Sequence, residues 1–385
     1  MANATVQPFE GSIWGFVSEK IFSKTMGFVA VDFVESVIIL VGNALIVGSV
    51  VASKSLRRKE MFIVAGLAAS DFLYGVGSLA HAVQTVRLTY LGLMNAIKIS
   101  AWDCMLYAQT IFFIIGKQSI GLMLAMVSVD RYLAFSPSTY YNLGNRYAVI
   151  VLSFVFGHNL ASTVLAFASS YYGTSREKVL HAKCISYQAV PKWYGDYAEA
   201  VAAAGGYGSV VLYGLVMLAY SRRVAKTNYS NQAQQQQQKR QARLTQTLGI
   251  VAAFTLLTSS IPYTVILLIN SKAIPIEGRN RPIVLSWIFS LIRVNSMVNV
   301  FIYFWRQREL RSAMLGFLTC RKAAQSGSTV GGATTERNQR DNSKQVWATR
   351  VNPPTHPSQQ PQQQPQRQSQ QKQQISGSVR SAKHI

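Results

Sequence analysis

Five ionisable residues stand inside or at the edge of otherwise apolar stretches: Asp71, Lys117, Asp130, Arg131 and Arg293. Asp71 ends Leu67-Ala68-Ala69-Ser70-Asp71, Lys117 follows Ile111-Phe112-Phe113-Ile114-Ile115-Gly116, and Asp130-Arg131-Tyr132 closes the run that begins near Cys104. In a low-dielectric setting each charge costs several kcal/mol unless it is paired or hydrated. The chemistry open to them is ion pairing, coordination of a small cation by Asp71, and capture of an acidic group by Lys117 and Arg293. Covalent catalysis is not expected, because neither a His-Glu-x-x-His nor a Gly-x-Ser-x-Gly pattern occurs.

The elements that must hold these residues are membrane helices. The chain has 385 residues, 49% hydrophobic and 14% charged, with a formal charge of +23. Such a charge on a soluble chain would suggest nucleic acid, but here the basic residues lie between apolar runs and in the tail, so no nucleic-acid partner is expected. Seven runs stand at roughly 28–52, 62–86, 105–133, 147–171, 199–221, 245–270 and 284–305. Each approaches the roughly 20 residues that cross a bilayer as a helix. The expected fold is therefore an all-α membrane protein, a seven-helix bundle spanning 28–320, with a short segment 1–27 before it. Residues 306–318 alternate arginines with Leu310, Met314, Leu315, Phe317 and Leu318, the pattern of an eighth, amphipathic helix on the membrane surface. The tail 321–385, rich in Gln, Pro and Ser, cannot bury a core and is expected to be disordered.

Orientation follows from the basic loops. Lys54, Arg57, Arg58 and Lys59 follow the first run, Arg222, Arg223, Lys239, Arg240 and Arg243 lie between the fifth and sixth, and Arg306, Arg308 and Arg311 follow the seventh. The positive-inside rule makes these segments cytoplasmic and the N-terminus extracellular, in contact with membrane lipids throughout. Asn3 opens an acceptor sequon for glycosylation on that outer side. No basic start with an apolar core precedes the first run, so that helix is expected to serve for targeting. Cys104 and Cys184 both face the oxidising side, where a disulfide is expected to tie the loop after the fourth run to the third. Cys320 is cytoplasmic, either a palmitoylation site or a free thiol. Pro262, which lacks a donor for the Thr258 carbonyl, predicts a kink in the sixth helix.

Seven spans, with Gly42-Asn43, Leu67-Ala68-Ala69-Ser70-Asp71, Cys104, Asp130-Arg131-Tyr132, Cys184, Pro262, Asn299 and Tyr303 in order, one set per helix, resemble a rhodopsin-like (class A) G-protein-coupled receptor. The wording of 58–63 and 69–75 looks like the Srsx group of nematode serpentine chemoreceptors. The resemblance implies a plasma-membrane receptor that binds an extracellular small molecule or peptide and activates a heterotrimeric G protein, in a chemosensory role. It places coupling and activation on Asp130, Arg131, Tyr132, Tyr220, Arg240, Arg243, Asn299 and Tyr303. It also places a polar cluster, holding either a sodium ion or water, at Asn43, Asp71, Ser119, Asn295, Ser296 and Asn299; no other cofactor or metal is implied.

Departures from the pattern are as specific. Gly205-Gly206 stand in place of a fifth-helix proline, Ser260 in place of the tryptophan two residues before Pro262, and Asn299-Val300 in place of an asparagine-proline pair. Ala242 occupies the position of the acid that clasps the third-helix arginine, which leaves Asp130 as the expected restraint on Arg131.

By depth, the ligand cavity is expected among His81, Gln84, Gln109, Phe113, Lys117, Tyr263, Trp287 and Arg293. Lys117 lies about 21 Å above Arg131 at helical rise, in the outer half of the bundle. Lys117 and Arg293 together suit an acidic ligand. Internal pairing is the alternative, with Asp32 or Glu35 taking Arg293 and Asp71 taking Lys117. A transporter or ligand-gated channel is the competing class, but no inverted repeat or pair of broken helices supports it.

Overall fold

The computed structural model describes residues 19–93, 96–134, 144–174, 176–224, 246–247, 249–276 and 280–319. Asn3, Arg240, Arg243, Cys320 and the tail 321–385 lie outside the described residues, as does the side chain of Tyr220.

Among the described residues seven helices are long and apolar enough to cross a membrane: Met26–Ala52, Lys59–Tyr90, Ala108–Ala134, Arg146–Gly173, Lys192–Ala219, Gly249–Asn270 and Ile283–Arg306, the first to seventh spans below. The third lies at the centre, packed on the second, fourth and fifth, while the first packs on the second and seventh. The sixth closes the ring between the fifth and seventh. Large apolar side chains such as Val41, Phe154, Leu160 and Trp305 point outward, as they would toward lipid. Polar residues turn inward: Asp71, Gln118, Ser128, Arg131 and Asn295 are all buried.

Close helix approach rests on small residues. At Gly205 of the fifth span a Cβ would run into the backbone of Gly121 in the third, and at Gly121 it would stand 2.9 Å from the Ala202 carbonyl oxygen. Here Gly205 and Gly121 let two backbones touch. Ser128 and Ser209 hydroxyls, 2.7 Å apart, join the same two spans lower down.

Three details differ from the expected helices. The first helix begins at Glu19, within the segment expected to precede the bundle. The run from Cys104 is not one helix: Cys104 sits in a short helix, Ala101–Met105, and the third span starts afresh at Ala108. The Thr110 hydroxyl donates to the Cys104 carbonyl at 2.9 Å, satisfying a group that a continuous helix would have used. Ser100 caps the short helix, its hydroxyl accepting from the Asp103 N–H at 3.1 Å, and two hydrogen bonds from Ser100 hold the Asp103 carboxyl below its usual pKa. Finally, the fifth span starts at Lys192 rather than near Glu199.

Before Pro262 the sixth span widens into a π-turn, Leu256–Ser260. Pro262 cannot donate to Thr258, and the turn is where the ladder absorbs that loss. A final helix, Arg308–Leu318, packs on the first and seventh spans and buries Leu310 and Met314. At the opposite end Cys104 and Cys184 form a disulfide, Cα atoms 5.6 Å apart, and Lys98-Ile99 pairs antiparallel with Leu180-His181.

Candidate functional site

A cavity of about 840 Å³ opens at the disulfide end. His81 and Tyr74 of the second span, Phe113 and Lys117 of the third, Glu199 of the fifth, Tyr263 of the sixth and Arg293 of the seventh line it. The loop Lys183 to Gln188 supplies a further wall. The first span adds Phe28, Val29 and Asp32, and the start of the seventh helix adds Arg281.

Five of the eight residues expected there by depth line the cavity: His81, Phe113, Lys117, Tyr263 and Arg293. Gln84 is half-buried but outside it. Gln109 is buried outside it, donating from Nε2 to the carbonyls of Lys183 at 3.1 Å and Cys184 at 3.2 Å, so it holds the loop. Trp287 is 62% exposed on the outer face, edge-on to Phe28 with ring centroids 5.3 Å apart. Depth fixed its height, but helical phase turned it away from the interior.

The charges pair internally. Arg293 Nε donates to Glu35 Oε2 at 2.7 Å, and its guanidinium also bonds Asp32, as the pairing alternative expects. The expected Lys117–Asp71 pair does not form. Lys117 Nζ instead lies 2.6 Å from Glu199 Oε1, both side chains buried. Glu199 was missed because it stands at the margin of its apolar run, where depth is unreadable. With the helix starting at Lys192 it lies about 10 Å along the axis. The loop lysine, Lys183, was also missed; burial pulls its pKa below the usual lysine value, against the raising influence of Asp32.

Asp71 accepts from Ser296 Oγ at 2.5 Å and Asn299 Nδ2 at 3.1 Å, joining the second and seventh spans. The other expected cluster members bond elsewhere or not at all. Asn43 Nδ2 donates to Ile39 of its own helix, and Asn295 Oδ1 accepts from Thr258 Oγ1 at 3.2 Å. Ser119 Oγ, Asn43 Oδ1 and Asn299 Oδ1 are buried without a partner among the described residues. Oxygen atoms left so are the kind of groups that water or a hard cation satisfies.

At the far end Arg131 Nε donates to Asp130 Oδ2 at 2.9 Å, and each residue is 1% exposed. Tyr303 is buried nearby in the same apolar cluster as Val127 and Tyr213, and the hydroxyls of Tyr213 and Tyr303 have no partner among the described residues. Tyr132 is 48% exposed and points away from this group. One contact here was not foreseen. Arg306, at the end of the seventh span, donates from Nε to Thr247 Oγ1 at 3.2 Å and from a terminal nitrogen to Gln246 Oε1 at 2.7 Å, tying down the foot of the sixth.

This pattern agrees with two comparisons. Residues 42–303 match the family model described as 7 transmembrane receptor (rhodopsin family). The chain is also 24% identical to the human adenosine receptor A2b over 339 residues, covering 79% of this chain and 95% of that protein. The family is one of receptors rather than enzymes, and its multi-pass architecture is the one seen here: the chain belongs to the rhodopsin family of seven-transmembrane receptors.

Proposed function

We propose that the chain is a plasma-membrane receptor whose disulfide end faces outward, binding an extracellular ligand in the 840 Å³ cavity and activating a heterotrimeric G protein at the Arg131 end. The observation that carries this reading is the separation of two built sites on one helix. Lys117 lines the cavity, and Arg131, buried against Asp130, lies about 21 Å below it on the third span. Arg57, Arg58, Arg306 and Arg308 around the Arg131 end support its cytoplasmic placement.

A ligand shifts a two-state equilibrium only by binding one state better. The sixth span is the moving element in this reading, because its ladder is already loosened at Leu256–Ser260 and its foot is held by side-chain bonds. Asp71, with the unpartnered Ser119 Oγ and amide oxygens of Asn43 and Asn299, supplies the kind of oxygen set that either ordered water or a sodium ion would satisfy, and a sodium ion there would favour the resting packing. The sequence wording of 58–63 and 69–75 supports a chemosensory role of the Srsx kind.

The test expresses the full chain in reporter cells with a panel of G proteins and applies small acids, peptides and adenosine, the ligand carried in the relative's name. A response lost in Arg131→Ala at equal surface display supports the reading. Ion flux without a G protein would move the chain to the channel class.

A further inference from the structure

The cavity carries an unequal set of charges. Among the described residues four cations line it, Lys117, Lys183, Arg281 and Arg293, against two carboxylates, Asp32 and Glu199. The two cations within the spans are already engaged, Lys117 by Glu199 and Arg293 by Asp32 and by Glu35 behind it. The two near the mouth are not. Lys183 makes no ion pair among the described residues; Asp32 acts on it through space, but that carboxylate is bonded to Arg293. Arg281 gives one terminal nitrogen to the neutral Asn270 Oδ1 at 3.3 Å, and its Nε is buried without a partner.

The remaining lining is largely apolar, with Phe28, Phe113, Tyr263, Leu285 and Phe289 prominent. A positively charged mouth over an apolar, low-dielectric chamber concentrates anions. A chamber of this size, apolar with a few placed polar groups, takes an organic molecule rather than an inorganic ion. We propose that the ligand is an organic anion, its acid group held by Lys183 and drawn in past Arg281, with its apolar body against Phe113, Leu285 and Phe289. Cys184, bonded to Cys104 and with left-handed backbone at φ 49°, fixes the loop that presents Lys183, and Gln109 holds that loop from below. With Glu35 behind Arg293 counted, the four cations face three carboxylates, which leaves one positive charge for the ligand's acid group.

This proposal rests on the receptor reading for its biological meaning, but its test does not. The solubilised full chain is heated with matched probes: indole-3-acetate, 4-phenylbutyrate and decanoate, their primary amides, and phenyl phosphate. The expected result is a rise in Tm with anions and none with amides; the phosphate arm decides which acid group is preferred. Lys183→Gln is expected to weaken anion binding about tenfold or more, a shift of about 1.4 kcal/mol per decade, and Lys183→Arg to restore most of it. Arg281→Gln is expected to weaken binding at low salt and far less at high salt. Amides that bind as well as acids, anions that do not bind, or a Lys183→Gln protein that binds them unchanged would overturn the proposal. Basal nucleotide exchange that responds to Arg131→Ala keeps the receptor reading standing even then; acids that bind while no exchange, basal or ligand-dependent, responds to Arg131→Ala leave the site intact and remove the receptor reading.

Discussion

Lys117 Nζ lies 2.6 Å from Glu199 Oε1, a buried bond that joins the third span to the fifth beside the cavity both line. Removing one partner leaves an uncompensated buried charge, which costs about 3–5 kcal/mol, whereas replacing both with apolar residues is often close to neutral. Glu199→Leu and Lys117→Met are each expected to lower the Tm of the solubilised protein markedly. The double variant Lys117→Met, Glu199→Leu is expected to recover most of the loss; a double variant as unstable as the sum of the singles would show that the pair is not coupled.

The contact of Gly121 with Gly205 gives a second expectation. A Cβ on Gly205 meets backbone, which cannot step aside, while one on Gly206 meets the Ser260 side chain, which can rotate. Gly205→Ala is therefore expected to cost about 1–3 kcal/mol by overpacking, and Gly206→Ala distinctly less. Thermal denaturation of the two variants side by side decides the order.

Arg306 holds Gln246 and Thr247 at the foot of the sixth span. In the proposed receptor cycle, with Ala242 where an acid would clasp Arg131, this tie would resist outward movement of that helix. Arg306→Ala is expected to raise ligand-independent G-protein signalling severalfold at equal surface display, and Arg306→Lys to fall between, since lysine lacks the guanidinium fork. Unchanged basal output in Arg306→Ala would remove the tie from the account.

What could be read in the residues, and what could not, divides along one physical line. The Arg293 pairing with Asp32 and Glu35 was legible because charges in apolar helices must pair and the first and seventh helices neighbour each other. The number of spans was legible from run length alone. Asp71 is the alternative partner the sequence offers Lys117 because both are visibly deep, whereas Glu199 reads as a flanking residue unless its helix begins at Lys192. Trp287 and Gln84 were placed by depth, and height along a helix does not by itself say which face turns inward. Likewise the break before Ala108, where Thr110 and the Tyr107 N–H both bond the Cys104 carbonyl, is a local feature that no hydropathy pattern displays.

The most direct test of the central claim, that Arg131 is kept inactive by Asp130 and released toward a G protein, is nucleotide exchange on a purified heterotrimer by the reconstituted full chain. Asp130→Asn removes the carboxylate charge that Arg131 is bonded to. It is expected to raise ligand-independent exchange severalfold, while Arg131→Ala abolishes exchange at equal receptor density. Exchange identical in wild type, Asp130→Asn and Arg131→Ala would contradict the account.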